Sequence, residues 1–553
     1  MKKTLLFILL CITTVANATV YTIAAGGGNW NSNSTWSPST GFPASSDTVK
    51  ATGSSGALTV NVASACKLLD FTGYTNTLTM SNTITCGGSV TLASGMTITG
   101  INDLRLGANC TIKSNGKIFS GGMQLINGAI TVTLADDWTI LGTLTKTITT
   151  GDGILNGNTL TIGGGLTVSN RILGTTNLIM NGTGTWTSNT NCNLGCNLTF
   201  NTIGTITISG TVFLGTSTSI TLTYIAGIII TTGSTLQLGR THVLNTGGMT
   251  WNNVSMVNQN GFGTSTTLNS DLNIAGNLVC FGSIFNGAFN VNVGGNVTTD
   301  PTFNTTGTAT IIMNGTGTWS GHGSISNNLK FNTSGTITIS NAVFFKTGTL
   351  TYTAGTIITS GDTLSILGSC TLNTSGIIWN NIAITGSTTI TLASDFKFAG
   401  TLTNASTSSF AGSHSVISTG NSTHTLSALL TFKKLNLQGN TTFAGTSGFT
   451  TDTLTCATAG TTQTLVSTKT YTVNKLLTIT GTLASPISFL ATTGGSKAIV
   501  TVGSASNDVS FCNAADIGSS LGYTVWDYKG TLSNTSNWNL LTPPVTRGYL
   551  FVN

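Results

Sequence analysis

Short stretches of alternating apolar and polar residues run along most of the chain after its first 18 positions. LTVNV (58–62), TLTM (77–80) and MTITG (96–100) are typical, and corners rich in Gly, Asn or Ser separate them. A period of two, broken by turn-forming residues after every few positions, indicates many short β-strands. Beyond the first 18 positions no run of ten or more residues has helical spacing. The pattern therefore predicts an all-β protein.

Two all-β architectures compete for such a pattern. A string of β-sandwiches has longer strands of similar size joined by hairpins. A β-solenoid has very short strands, about three per coil, with coils of roughly 20–25 residues. The short runs favour the solenoid, in which strands stack about 4.8 Å apart and like side chains form ladders along the axis. We therefore expect a parallel β-helix filled by Val, Ile, Leu and Phe.

A block of this chain is duplicated. MNGTGTW begins at Met180 and again at Met313, and a third pattern, TLADDWTILGTL, recurs as TLNSDLNIAGNL and TLASDFKFAGTL, which aligns Asp137, Asp271 and Asp395. A block of about 130 residues corresponds to some six coils, and a fold built by stacking tolerates copying of this kind. Three more pairs recur at offsets of 131, 128 and 128 positions, close to the 133 of MNGTGTW: FNTIGTITIS (200–209) with FNTSGTITIS (331–340), LTYIAGIIITTGSTL (222–236) with LTYTAGTIITSGDTL (350–364), and MTWNN (249–253) with IIWNN (377–381).

The amino-acid composition supports the all-β interpretation and argues against a nucleic-acid partner. Charged residues are 6% of the 553 residues, hydrophobic residues 39%, and all 14 acidic residues are Asp. Much Thr, Gly and Asn with no Glu disfavours helices, and the apolar content disfavours disorder. The formal net charge is +6 without a cluster of Lys and Arg. We therefore expect no nucleic-acid partner.

The first 18 residues have the pattern of a secretory signal peptide. Lys2 and Lys3 precede the apolar stretch TLLFILLCITTV, and Ala16-Asn17-Ala18 supplies a cleavage site. The apolar stretch is too short for a membrane span, and no later segment approaches that length. We therefore expect a protein that is secreted or held at the cell surface.

The ends of a solenoid need caps, because an open sheet edge invites aggregation. Trp30 and Trp36 are expected to cover the first coil, and Trp526 and Trp538 mark the opposite end. The predicted organisation is a signal peptide (1–18), an N-terminal cap and first coil (19–60), the β-helix with its duplication (61–505), and a C-terminal coil, cap and tail (506–553).

The cysteine count leaves two interpretations open. An odd number of cysteines follows the signal peptide, so at least one thiol is unpaired within the chain. Spacings of 20 and 24 between the first three would place them on successive coils, as an axial disulfide or as an inward stack of buried thiols, and we favour the thiols. The nine positions are Cys66, Cys86, Cys110, Cys192, Cys196, Cys280, Cys370, Cys456 and Cys512.

Both ends resemble a known family. The opening WNSNSTW with PASSDTV, and the closing LLTITGTLASPISFLATT, VSFCNAADIGSS and NTSNWN, are similar to the first and last coils of right-handed parallel β-helix proteins from bacterial surfaces and phages. The two ends cover about a quarter of the chain. The resemblance implies a right-handed single-stranded β-helix with a cap at each end. It implies no single activity, since the family includes adhesins, fibre-like proteins and polysaccharide-cleaving enzymes.

An enzymatic β-helix would need carboxylates and basic residues on one face. Asp136-Asp137 and Gly321-His322-Gly323 resemble elements of pectin hydrolases, but 185 residues separate them and the Arg-x-Lys element of that family is absent. Asp137 recurs with the scaffold, which is typical of a turn-forming residue. No spacing of Asp, His or Cys predicts a calcium or zinc site. We therefore expect no catalytic residue, metal or cofactor, and keep a polysaccharide lyase or hydrolase as the alternative.

Four tryptophans within the duplicated blocks are the candidate binding residues. An exposed indole stacks on sugar rings, and duplication would create a multivalent glycan surface. The competing interpretation is that each ring fills the interior or pins a loop. The pairs are Trp186 with Trp319 and Trp251 with Trp379.

The sequence thus predicts a secreted, non-enzymatic β-helix with an adhesive or structural role. Its expected partner is an extracellular glycan or another cell-surface ligand, and the fold permits homo-oligomers. Thr-x-Thr runs also suggest an ice-binding array, but they do not recur on every coil as such an array requires.

Overall fold

The computed structural model describes residues 18–188, 193–215, 219–257, 264–300, 305–504, 507–519 and 522–541, with the side chain of residue 283 excepted. The chain is 57% strand and forms a β-solenoid of about 23 turns of stacked parallel coils. The predicted all-β parallel β-helix is confirmed. The signal peptide up to residue 17, Cys192 and the tail from residue 542 lie outside the described residues.

Alternation along each strand explains why the coils close. In Leu58–Val60 and Leu104–Leu106 the two outer residues are buried and the middle residue is half-buried. Every second side chain therefore enters the interior, where burial of apolar area stabilises the fold by about 25 cal/mol per Å². Glycine occupies the tightest corners, as at Gly157, which has a φ of +93° and would place a Cβ 2.2 Å from the carbonyl oxygen of Leu134.

Contacts divide the chain into two compact units, residues 1–249 and 250–553. In the described part of unit 1 the strands form three parallel sheets, named here S1, S2 and S3. An antiparallel strand, Trp36–Ser37, also joins the first strand of S1, and Asn33–Thr35 is a short 3₁₀-helix. S1 contains Val20–Ile23, Thr48–Lys50, Leu68–Asp70, Val90–Thr91, Cys110–Lys113, Ile130–Leu134, Gly153–Gly157, Ile172–Leu173, Asn193–Gly195, Thr211–Leu214 and Thr235–Leu238.

S2 has two ladders, and S3 has one. Two long strands of S2 continue into S3 across a bulge. The first ladder of S2 contains Gly28–Asn29, Leu58–Val60, Thr77–Met80 and Thr97–Thr99, and the second contains Ile118–Phe119, Trp138–Ile140, Leu160–Ile162, Leu178–Met180, Leu198–Ser209, Ile220–Ile230 and Thr241–Asn245. S3 contains Ser64–Cys66, Ile84–Cys86, Leu104–Leu106, Met123–Leu125, Leu144–Lys146, Leu166–Val168, Gly184–Ser188 and the ends of the two long strands.

Unit 2 also has three parallel sheets, named S4, S5 and S6, which share several long strands. S4 contains Thr250–Trp251, Leu272–Ile274, Asn290–Val293, Thr310–Met313, the start of Asn328–Phe345, the start of Thr349–Ile358, Cys370–Asn373, Thr389–Leu392, Ser408–Ala411, the starts of Leu430–Leu437, Phe449–Cys456 and Thr470–Thr480, then Ala498–Val502 and Ile517–Gly518.

The other two sheets complete the coils of unit 2. S5 contains Asn253–Met256, Leu278–Cys280, Val297–Thr299, Gly317–Gly321, later parts of the shared strands, Ile378–Trp379, Phe396–Phe398, Val416–Ser418, Asn507–Ser510, Val525–Tyr528 and Trp538–Leu541. S6 contains Thr264–Leu268, Ser283–Asn286, Ser324–Ile325, the end of Asn328–Phe345, Thr363–Ile366, Asn381–Ile384, Leu402–Asn404, Ser422–Leu426, Thr441–Gly445, Thr462–Leu465, Ile487–Ala491, Cys512–Ala515 and Thr531–Ser533.

The long strands of the two copies of the duplicated block fold alike. In unit 1 the register of the long strand Leu198–Ser209 shifts between Phe200 and Thr205. In unit 2 the equivalent strand Asn328–Phe345 shifts between Phe331 and Thr336. The copied sequence therefore specifies local strand geometry down to the position of the bulge.

Three of the four tryptophans that mark the predicted ends are buried. Trp30 and Trp36 are each 1% exposed, their ring centroids lie 5.2 Å apart, and the Trp36 Nε1–H donates to the Trp30 carbonyl at 2.7 Å. Trp538 is buried against Phe489, whereas Trp526 is half-exposed. Among the described residues, no helix has the length and hydropathy needed to cross a bilayer.

All eight described cysteines are buried free thiols. Cys66 and Cys86 are register partners in S3, so the predicted stacking of these two is confirmed. The expectation that Cys110 continues the stack is wrong. Leu106 occupies that place in S3, and Cys110 lies past the next corner in S1, because this coil reaches the register position 20 residues after Cys86 rather than 24.

Candidate functional site

The four candidate tryptophans are buried, at 0–1% exposed. Each lies at an inward position of its strand, where neighbouring coils present apolar side chains: Leu166 and Ile208 flank Trp186, and Phe398 pairs with Trp379. A ring in this position fills the interior, and a sugar cannot stack on it. The glycan-stacking surface expected of Trp186, Trp319, Trp251 and Trp379 is therefore absent, because strand alternation turns all four inward.

The repeated aspartates hold neighbouring coils together. Asp137 Oδ1 accepts a hydrogen bond from the Thr159 N–H, Asp271 Oδ1 from the Asn290 N–H, and Asp395 Oδ1 from the Ser415 N–H, each at 2.9 Å. Every donor lies one coil further along the chain. The three carboxylates therefore satisfy backbone donors at corners, which is the scaffold role that their repetition predicts.

The two elements that resemble a pectin hydrolase are also used locally. Both carboxylate oxygens of Asp136 accept backbone N–H groups, from Ser114 at 2.7 Å and from Asn115 at 2.6 Å. His322 is exposed, with its ring 5.9 Å from that of Phe344. The carboxylate lies in unit 1 and the imidazole in unit 2. Each side chain thus has a local environment that explains it.

A buried polar cluster in unit 2 was not predicted from the sequence. The Ser422 hydroxyl lies 3.1 Å from His424 Nε2, 2.8 Å from the Ser418 hydroxyl and 3.3 Å from that of Thr441. The imidazole is fully buried near the rings of Phe398 and Phe443, at 5.3 and 5.0 Å. Burial lowers the pKa of His424 to about 3.

This Ser–His contact has the spacing of a nucleophile and its base, but not the setting. His424 Nδ1 makes no hydrogen bond among the described residues, so nothing orients the ring as a third catalytic group does. His424 is 0% exposed, so the pair faces the interior of the coil and not a surface on which a substrate binds. The cluster therefore acts as a local hydrogen-bond network in the interior, with His424 Nδ1 left without a partner in the described part of the chain. Its only signal in the sequence is the S-T-H spacing, which puts Ser422 and His424 on the same side of a strand.

A row of hydroxyl groups, which we call the hydroxyl file, runs along S4 on the surface of unit 2. Its members point outward and are direct register partners on successive coils, and their side chains are exposed or half-buried. Adjacent members therefore lie about 4.8 Å apart. The file consists of Thr389, Ser409, Thr431, Thr450, Thr472 and Thr501.

One end of the hydroxyl file lies in a shallow groove of about 290 Å³. Ser369 lies next to Thr389 at this end of the file, and the Ser369 Oγ accepts a hydrogen bond from the Thr389 N–H at 3.1 Å. Thr388 is 5% exposed, and its buried hydroxyl makes no hydrogen bond among the described residues. The lining consists only of serine and threonine: Ser369, Ser387, Thr388, Thr389, Thr407, Ser408, Ser409 and Thr431.

A hydroxyl-lined groove has a defined chemistry. Each hydroxyl donates one hydrogen bond and accepts others, and none carries charge. Such a surface matches an uncharged ligand that is itself rich in hydroxyls. No group of three or more His, Cys or Asp residues among the described positions is arranged to hold a metal ion.

Comparison of the chain with protein-family models, with curated proteins and with solved structures finds no match.

Proposed function

We propose that the protein is a secreted, non-enzymatic β-helix with an adhesive or structural role outside the cell, and that it binds neutral glycans along the hydroxyl file. The observation that carries the proposal is the continuity of the file with a groove lined only by serine and threonine. Export follows from the signal-peptide pattern of the first 18 residues.

The physical basis of binding is that hydrogen bonds to water are replaced by hydrogen bonds between the hydroxyl file and the glycan. A polysaccharide presents hydroxyl groups at regular intervals, and a file with one hydroxyl per coil offers partners at a regular spacing of about 4.8 Å. Individual contacts of this kind contribute little, so binding depends on several coils acting together. Because neither side is charged, affinity is expected to be insensitive to salt.

Binding of the full chain to immobilised cellulose, β-1,3-glucan, mannan and starch tests the proposal. The variant Thr389→Val, Ser409→Ala, Thr431→Val removes three hydroxyls from the groove at nearly constant volume. The matched control, Thr403→Val, Thr425→Val, Thr442→Val, removes three outward hydroxyls from S6. We expect at least one of these polymers to bind the wild type and the control, with at least tenfold weaker binding by the groove variant.

Two results would contradict the proposal. Equal binding by the groove variant and its control would show that the hydroxyl file is not the contact surface. Release of reducing ends from any of the polymers would indicate the alternative function, a polysaccharide-cleaving enzyme.

A further inference from the structure

Two cysteines of unit 1 lie one above the other in S3. Cys66 ends the strand Ser64–Cys66, Cys86 ends Ile84–Cys86, and the two residues are direct register partners. Both are inward, at 1% and 0% exposed. Neighbouring parallel strands place such partners about 4.8 Å apart, within the Cα separations of about 4.4–6.8 Å that a disulfide spans.

The two thiols differ in electrostatic environment. Each perturbs the other: the contact with Cys86 raises the pKa of Cys66, and the contact with Cys66 lowers the pKa of Cys86. The nearby ammonium of Lys67 further favours the Cys86 thiolate. Cys86 is therefore the better nucleophile of the pair.

A groove of about 560 Å³ lies over this corner of unit 1. Its walls include Lys67, Gly87, Gly88, Ser89, Asn109 and Asn127. Cys86 immediately precedes the two glycines, which have no side chain to cover it, and the Lys67 Nζ–H donates to the Gly87 carbonyl at 3.2 Å. Neither thiol lines the groove, so the corner at Gly87 and Gly88 must open locally before a small reagent reaches the Cys86 sulfur.

We propose that Cys66 and Cys86 form a site of thiol–disulfide exchange that closes into a disulfide between successive coils when a small-molecule disulfide enters through this groove. The Cys86 thiolate attacks one sulfur of the small disulfide, forming a mixed disulfide and releasing one thiolate. Cys66 then loses its proton and attacks the Cys86 sulfur, which releases the second thiolate. Two cysteine thiols are oxidised, one small disulfide is reduced to two thiols, and the protons pass to the released thiolates.

The pairing is specific within the part of the chain that the structure describes. No other cysteine there has a cysteine as its register partner, since Cys110 pairs with Val132 and Cys370 with Ile390. Burial raises the pKa of both Cys110 and Cys370 to about 12, which keeps them as thiols. Oxidation is therefore directed to one pair.

The tryptic map of this region makes the test unambiguous. Cleavage after Lys and Arg yields peptides 51–67, 68–105 and 106–113, which each contain one cysteine: Cys66, Cys86 and Cys110 respectively. The folded, reduced full chain is incubated with hydroxyethyl disulfide, quenched with N-ethylmaleimide under denaturing conditions, digested and analysed by mass spectrometry. We expect peptide 51–67 linked to 68–105 in most molecules, with 106–113 alkylated.

Several outcomes would overturn the proposal. These are a link between 68–105 and 106–113, mixed disulfides that do not resolve, or full alkylation of Cys66 and Cys86 after incubation. The wild-type experiment is decisive by itself, so it does not depend on a variant that fails to fold. As a matched control, Cys370→Ser is expected to leave the link intact, and Cys66→Ser to stop Cys86 at the mixed disulfide.

Discussion

Acidification is expected to destabilise unit 2 through one buried histidine, His424. Its imidazole is 0% exposed and lies close to two phenylalanine rings, with Nε2 at 3.1 Å from the Ser422 hydroxyl. Burial lowers its pKa to about 3. An unfolded chain holds this histidine at its ordinary pKa of about 6.5.

The sign and size of the effect follow from proton linkage. Between pH 6.5 and 3 the unfolded chain binds a proton at His424 that the folded chain excludes, so stability falls as the pH falls through this window. At pH 4 the window has been crossed by about 2.5 pH units, which corresponds to a loss of about 3 kcal/mol. Replacement by phenylalanine removes the titration and keeps a ring between Phe398 and Phe443. Ser422 retains Ser418 and Thr441 as partners.

Guanidinium unfolding of wild type and His424→Phe, followed by circular dichroism at pH 7 and pH 4, measures this difference. We expect the two proteins to agree within about 1 kcal/mol at pH 7, and the variant to be more stable by about 3 kcal/mol at pH 4. His414→Phe is the control, because the His414 side chain lies in the same unit and is 42% exposed. Equal losses of stability for wild type and His424→Phe between the two pH values would refute the reasoning.

Three further predictions concern the interior and the corners. Trp186→Ala is expected to lower the free energy of unfolding by about 3–5 kcal/mol. Trp186→Phe is expected to lower it far less, since the buried indole N–H makes no hydrogen bond among the described residues. Chemical denaturation measures both values, and equal losses of stability would contradict the packing role of the ring. Burial raises the pKa of Asp527 to about 6, so the contribution of Asp527 to stability should rise as the pH falls from 7 towards 4, opposite in sign to that of His424. Asp527→Asn should abolish that rise and stabilise the protein at pH 7 by on the order of 2 kcal/mol, and a variant less stable at pH 7 would show that the carboxylate is favourable. Asp137→Ala should lower the free energy of unfolding by about 1 kcal/mol. Asp137→Asn should lower it much less, because asparagine keeps an oxygen that accepts the Thr159 N–H. Equal melting temperatures for the two variants would contradict a stabilising role for this hydrogen bond.

The fold was largely predictable because the alternation of apolar and polar residues can be read within each short strand. Runs such as LTVNV and TLTM report which side of a strand is buried, and Gly and Asn mark the corners. The scaffold role of Asp137, Asp271 and Asp395 was also predictable. The three residues recur together with the same flanking residues, which indicates that they serve the repeated structure.

The positions of individual side chains across coils were not predictable in the same way. The hydroxyl file joins residues separated by 20, 22, 19, 22 and 29 positions, and no fixed period reveals such a row. The same variation in coil length misplaced Cys110 by one corner. The inward orientation of Trp186 and Trp379 depends on the phase of alternation at a Gly- or Asn-rich junction, which the sequence leaves open.

The strands of unit 2 stack in parallel with one defined register, and distances between spin labels test this stacking most directly. Ketone-bearing side chains introduced at position 389 together with 472 or 501, and coupled to an aminooxy nitroxide, leave the native cysteines untouched. Four and five coil steps along the hydroxyl file predict separations of about 19 Å and about 24 Å, apart from label flexibility. Two narrow distributions differing by about one coil spacing would agree with the account. Equal separations, or broad distributions without that step, would contradict it.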